Sequence, residues 1–282
     1  MNQFPIQLFA CGFFLNIIHQ GFLLSAMSGH IDTVPDNNCL NCSESVSGNY
    51  CSNCGQKFQP TKLPLRIYLE DTVETLFNVD NRVFKTLKDL FLRPGKITKE
   101  YISGHRATYL PPLRIYISIS ILYFFLAIIT ESTQVFLVNL SLDQYDSSFG
   151  KLIQMSMFVL VPLFALITKW HHRKRDGYYV EYLIFSLHIH SIWFVLLSFS
   201  IIATWAYTYF GIEEGSLFYY LIAIVQILER SLFLIYFVVY LKRVFDNTWW
   251  KTILKTFGIL FLYLITLLAV ITPYLIIMNK GS

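Results

Sequence analysis

The sequence predicts an all-α membrane protein with about five transmembrane helices, a small N-terminal zinc-ribbon head and amphipathic juxtamembrane helices. Three observations carry that expectation. The 282 residues are 55% hydrophobic and 14% charged, with a mean hydropathy of +0.50, too apolar for a soluble domain of this length. Beyond residue 110 the apolar residues gather into runs long enough to cross roughly 30 Å of hydrocarbon, which takes about 20 helical residues. Near the N-terminus, CLNCSESVSGNYCSNCGQK packs four cysteines into a short polar stretch.

The five apolar runs are approximately Leu113 to Thr130, Leu152 to Trp170, Val180 to Tyr207, Leu217 to Leu241 and Ile253 to Met278. A spanning segment must satisfy its backbone hydrogen bonds internally, so each is read as a helix. Loop charges orient them. Lys96, Lys99, Arg106 and Arg114 precede the first span, Arg173, Lys174 and Arg175 follow the second, and Lys242, Arg243 and Lys251 follow the fourth. These loops are expected in the cytoplasm. The alternate loops carry Glu131, Asp143 and Asp146, then Glu213 and Glu214, with Lys151 at the edge of the first. They are expected outside, together with the C-terminus. The net charge of +4 belongs to this orientation pattern, and a nucleic-acid partner is not expected.

Residues 1–30 form an apolar leader without Lys or Arg, so the basic n-region of a secretory signal is missing. Two readings stay open: a sixth span containing His19 and Gln20, or an upstream extension of a reading frame that starts at Met27.

Cys39, Cys42, Cys51 and Cys54 form C-x2-C-x8-C-x2-C within residues 36–60. Each CxxC knuckle brings two thiolates to one metal ion, and two knuckles complete the tetrahedral four-sulfur shell of structural zinc. The alternative, a pair of disulfides, is disfavoured in a reducing cytoplasm. A closed four-thiolate shell has no position for water, so the zinc is expected to fold the head and not to catalyse. Gly55 fits the permissive turn behind the second knuckle. Cys11, in the leader, reads as a small buried hydrophobe.

Residues 61–112 form an amphipathic segment between the head and the spans at 113–278. In NRVFKTLKDLFLRPG, Val83, Phe84, Leu87, Leu90 and Phe91 recur at helical spacing, with Lys85, Lys88 and Asp89 elsewhere on the wheel. Its apolar face meets either lipid or the protein's own cytoplasmic surface. Arg93, Pro94 and Gly95 end the helix, and Pro111 and Pro112 set the entry to the first span.

The order CxxC, YCxxCGQK, LRPGKITKEYISGHRATYLPPLRIY and GYYVEYLIFSLHIHSIWF resembles an uncharacterised bacterial membrane family, domain of unknown function 3667, over about residues 37–278. The resemblance implies a zinc-ribbon-like head followed by several membrane helices, and it implies no reaction. The family pattern has a His after the Glu of the third span, where this chain has Tyr182, which weakens any metal site that needs it.

Ionisable groups inside the spans are costly and face the bundle interior. The candidates are Glu181, His188 and His190 in the third span and Glu229 with Arg230 in the fourth. Glu181 and His188 share a face but stand about 10 Å apart along the axis, and His188 and His190 point about 200° apart, so one helix cannot build a metal site from them. Comparable depths suggest a contact between a histidine and Glu229, or between Glu229 and Arg230. The 43 Phe and Tyr residues, with Trp170, Trp249 and Trp250 near span ends, fit interfacial belts. No serine elbow, HExxH, Walker loop or dinucleotide fingerprint is present in the sequence. The expected function is an interaction or regulatory module in a bacterial inner membrane, with the ribbon meeting a cytoplasmic protein partner. The alternative is a transporter or channel-like protein using the intramembrane His and Glu residues.

Overall fold

The structure is a computed structural model, and it describes residues 38–59, 61, 64–75, 82–130, 147–213 and 215–280. The apolar leader with Cys11, His19 and Gln20, the loop acids Glu131, Asp143 and Asp146, and Glu214 lie outside the described residues. The rest forms α1 (Leu65–Thr75), α2 (Val83–Leu92), α3 (Lys96–Ile102), α4 (Pro112–Ile129), α5 (Ser147–His171), α6 (Tyr179–Tyr209), α7 (Leu217–Phe245) and α8 (Trp249–Lys280).

Four stretches are long and apolar enough to cross a membrane: Pro112–Ile129, Tyr179–Ala206, Leu217–Phe245 and Trp249–Thr272. In α5 the shorter apolar stretch is Ser156–His171, within a helix of 25 residues that rises about 37 Å at 1.5 Å per residue. Short connections, such as residues 172–178 and 246–248, make consecutive helices antiparallel neighbours.

The third apolar run is the axis of the bundle. Helices α4, α5 and α7 all pack on α6, and α8 closes against α5 and α7. Along α6, Phe185, Leu187, Phe194 and Ile201 are buried, and so are Ser186, Ser191, Ser198 and Ser200 between them. The small residues permit close helix approach. Ser191 and Ser198 satisfy their hydroxyls on the carbonyls of Leu187 and Phe194, four residues back. Ser186 Oγ instead crosses to donate to the Val161 carbonyl (2.7 Å), and the Tyr179 hydroxyl donates to that of Pro162 (3.1 Å), stitching α6 to α5. Tyr123 of α4 stacks on Phe194 at 4.9 Å. The outer faces are the reverse of a soluble protein's: Ile121, Phe125 and Ile128 on α4, Leu228 and Ile235 on α7, and Leu254, Phe257 and Phe261 on α8 are exposed. An apolar surface of this extent calls for hydrocarbon around it.

At the end of the bundle that carries the basic residues, α2 and α3 fold onto α6, and α3 also reaches α7. The turn between them needs Gly95, whose φ is 81°; a Cβ there would come within 3.1 Å of Arg243 Cβ and 3.3 Å of the Tyr240 carbonyl. The sequence wheel misassigns two positions of α2. Asp89, grouped with the polar residues, is buried, and Phe84, grouped with the apolar ones, is 85% exposed. The reason is polar packing: Asp89 Oδ2 accepts from the Tyr109 hydroxyl (2.8 Å) and from Lys96 Nζ (3.3 Å), and Arg93 lies 3.4 Å from Oδ1. Burial alone would raise the Asp89 pKa, but these donors and cations outweigh it and hold the carboxyl below its ordinary value. The protein side of α2 is therefore specified by Thr86, Asp89 and Leu90, all buried.

Candidate metal centre and the buried polar contacts

The head is two copies of one turn, offset by 12 positions. Backbone N–H groups of Cys39 and Cys51 donate to Glu44 and Gln56 carbonyls at 2.7 and 2.9 Å, and those of Ser43 and Gly55 donate back to Cys39 and Cys51 at 2.8 and 2.9 Å. The bridges Asn38 with Ser45 and Tyr50 with Lys57 keep the same offset. Each knuckle requires a left-handed residue after its second cysteine, φ 62° at Ser43 and 71° at Gly55. The sequence advertises only the glycine.

These turns bring the four thiols together. Cys39 Sγ lies 3.6 Å from Cys54 Sγ, and Cys42 Sγ lies 3.5 Å from Cys51 Sγ. All four sulfurs fall within 4.8 Å of one another. A tetrahedral ion with bonds of about 2.3 Å to sulfur needs edges of about 3.8 Å, so the four side chains fit a metal ion with small adjustment. The Cys54 backbone N–H, donating to Cys51, lowers that thiol to about 7, whereas burial pushes Cys54 up to about 12, so Cys51 gives up its proton before Cys54.

The head does not stand free. Gln56, buried beside the second knuckle, donates through Nε2 to the Gly104 carbonyl (2.8 Å), and its Oε1 accepts from the Arg106 and Ala107 backbone N–H groups at 2.9 and 3.0 Å. Thr108 Oγ1 donates to Asn41 Oδ1 at 2.9 Å. Gly104, at φ 101°, leaves room for Leu40, whose Cδ1 would lie 2.8 Å from a Cβ there. The ribbon is thus bolted to the loop that joins α3 to α4. Gln56 was not among the residues expected to matter, and its place in CGQK, two residues after the second knuckle, is the signal that could have found it.

The intramembrane candidates separate into distinct contacts. Glu181 belongs to the end of α6: it accepts from the Tyr178 backbone N–H (3.2 Å) and from Arg175 Nη2 (3.3 Å), a cap with an ion pair. His188 Nδ1 lies 2.6 Å from Thr98 Oγ1, which lies 2.5 Å from the Tyr240 hydroxyl. One consistent direction runs from Tyr240 through Thr98 to His188, joining α7, α3 and α6. His188 Nε2 is buried without a hydrogen-bond partner. His190 faces the other way, as the wheel requires, donating from Nδ1 to the Ser186 carbonyl (2.8 Å) and accepting at Nε2 from Tyr263 of α8 (3.0 Å). Both partners are satisfied by a neutral ring.

The expected pairing of Glu229 is corrected. Glu229 Oε2 accepts from Ser200 Oγ at 3.1 Å, and Ser200 lies twelve positions, about 18 Å, beyond His188 on the same helix. Ending the fourth span at Leu241 made Glu229 look about 6 Å shallower than it is, since α7 continues to Phe245, and this accounts for part of the apparent match of depths. No ion pair joins Glu229 to Arg230 among the described residues, and Arg230 Nε is buried without a hydrogen-bond partner. Gln226 completes this outer layer, donating to Thr204 Oγ1 at 3.1 Å. Tyr182, where the resemblance led us to expect a histidine, is fully buried and stacks on Phe245 at 5.5 Å.

A histidine that charge counting overlooked is also organised. His172, in the basic loop after α5, donates from Nδ1 to the Thr168 carbonyl (2.9 Å), meets Asn247 Nδ2 at 3.1 Å and stacks on Phe245 at 4.1 Å. Burial lowers its pKa to about 4, with help from nearby Lys255, His171 and Arg175.

A family model described as "Protein of unknown function (DUF3667)" matches residues 80–124. The likeness to this family is confined to that segment. The DUF3667 stretch runs from before α2 into α4 and contains Asp89, Gly95, Thr98, Gly104 and Tyr109, the residues that bind the head and the juxtamembrane helices to the bundle. Neither a curated protein nor a solved structure matches the chain.

Proposed function

We propose that the four cysteines hold a structural zinc ion on the cytoplasmic side of a bacterial inner membrane, and that the head they fold is an interaction or regulatory module with the C-terminus of the chain outside. The observation that carries the reading is the attachment of the head. Gln56 fixes it to the loop after α3, while Ser47, Gly48, Asn49, Tyr50, Ser52 and Asn53 are exposed. Zinc would supply folding energy through four thiolates, in a module too small for an apolar core of its own. Lys99 meets Asp246 at 2.7 Å, and Arg243 reaches the Pro94 carbonyl, so a load on the head passes through α3 to α7. A transport pathway finds less support, because His188, His190 and Glu229 do not converge.

The test is proximity labelling in native membranes with wild type, Cys51→Ser and Glu229→Gln. A reproducible cytoplasmic partner lost in the first variant and kept in the second supports the reading. A partner set that ignores Cys51→Ser contradicts it. Reporter fusions at Arg175 and Lys242 should behave as cytoplasmic and one at Glu213 as external; the reverse pattern contradicts the orientation.

A further inference from the structure

Between α6 and α7 runs a groove of about 370 Å³, lined by Phe91 of α2, Ile192 and Leu196 of α6, and Val225, Leu228, Glu229, Leu232, Phe233 and Tyr236 of α7. Its volume falls within the range of small-molecule sites, roughly 300 to 1,000 Å³. The wall is apolar except at one place, where Glu229 enters it near the middle of α7. Ser200 occupies Glu229 Oε2, and Oε1 has no hydrogen-bond partner among the described residues. A carboxylate in such a wall carries a desolvation cost that a bound opposite charge removes.

We propose that this groove is a binding site for a lipophilic organic cation, held by Glu229 through charge and by the surrounding aliphatic and aromatic side chains through apolar contact. Charge complementarity selects this occupant over a neutral acyl chain, which would fill the apolar wall but leave the carboxylate only partly compensated, by Ser200 and the more distant charge of Arg230. Phe91 and Phe233 line the same groove, and ring faces attract a delocalised cation. Arg230 acts on the carboxylate only from a distance: successive helix positions diverge by about 100°, no ion pair joins the two among the described residues, and Arg230 is not among the residues lining the groove. The site is independent of the head, since none of its lining residues belongs to residues 38–59.

The experiment uses the full chain in lipid nanodiscs and two probes of the same shape and opposite charge, tetraphenylphosphonium and tetraphenylborate. Wild type should bind the phosphonium saturably, one per chain, with no saturable binding of the borate. Glu229→Gln should weaken phosphonium binding by about tenfold or more. Leu196→Trp, which fills the groove from α6 and keeps the carboxylate, should do the same. Glu229→Asp, which keeps the charge, should retain measurable binding and guards against a Gln variant that fails to fold. Equal binding of both probes, equal phosphonium binding by wild type and Glu229→Gln, or no saturable phosphonium binding by wild type would each overturn the proposal; the first two would mean an apolar crevice filled by lipid.

Discussion

The head and the bundle hold themselves together by opposite means. In the head, the metal-binding geometry is built by residues near in sequence: two turns offset by 12 positions place four sulfurs within 4.8 Å of one another. In the bundle, residues far apart in sequence meet only because helices align in register, as Thr98, His188 and Tyr240 do. The head depends on a few strong contacts and fails when one is lost. The bundle depends on many weak apolar contacts and should absorb single polar losses.

The sharpest way to break that comparison is Cys51→Ser. The head should lose its ordered structure, seen as loss of amide-exchange protection over residues 38–59, while α4 to α8 keep their helicity in detergent. Concurrent loss of helicity would show that the bundle also rests on the head.

A smaller but still large effect concerns pH. His172 has a folded-state pKa of about 4 against an ordinary value of about 6.5. The unfolded chain therefore takes up the proton first as pH falls. The stability contribution of neutral His172 is complete above about pH 6.5 and is lost as pH falls from there toward 4, by up to about 3 kcal/mol. His172→Gln should flatten the loss of thermal stability between pH 7 and 5. An unchanged pH profile would mean that the imidazole is solvated in the folded protein.

Next comes the joint between the two regions. Gln56→Ala should leave metal content intact but release the loop at 104–107, costing about 1 to 3 kcal/mol, because the Ala107 N–H is left without a partner and the Arg106 N–H and Gly104 carbonyl keep only the bond between them. Limited proteolysis near Lys57 should then be faster than in wild type. The same cleavage rate in both would show that the clamp does not hold the head.

The smallest effect lies inside the bundle. Thr98→Val and Tyr240→Phe should each cost about 1 kcal/mol, and the double variant less than their sum, because both remove one chain of hydrogen bonds. Fully additive losses would show that the three groups act separately.

This division also explains what could be read from the residues. The helical class, the apolar stretches and the four clustered cysteines were legible because each is encoded by local spacing or local composition. The partners across helices were not. Hydropathy sets how long a helix can be but not its register, so Glu229 was paired with the wrong layer, and ending its span four residues early supplied about 6 Å of that error. Asp89 was misread for a related reason: a wheel sends charge outward, while Tyr109 and Lys96, which make its burial tolerable, come from later in the chain. Ser200 and Thr98 gave no signal, since a hydroxyl in a helix is equally at home on its own backbone.

The most direct measurement is elemental analysis of the purified full chain after gentle extraction, alongside Cys51→Ser. The account predicts one zinc per chain in the wild type and a clear loss in the variant. A wild type without any metal, or a variant that keeps its metal in full, would contradict it.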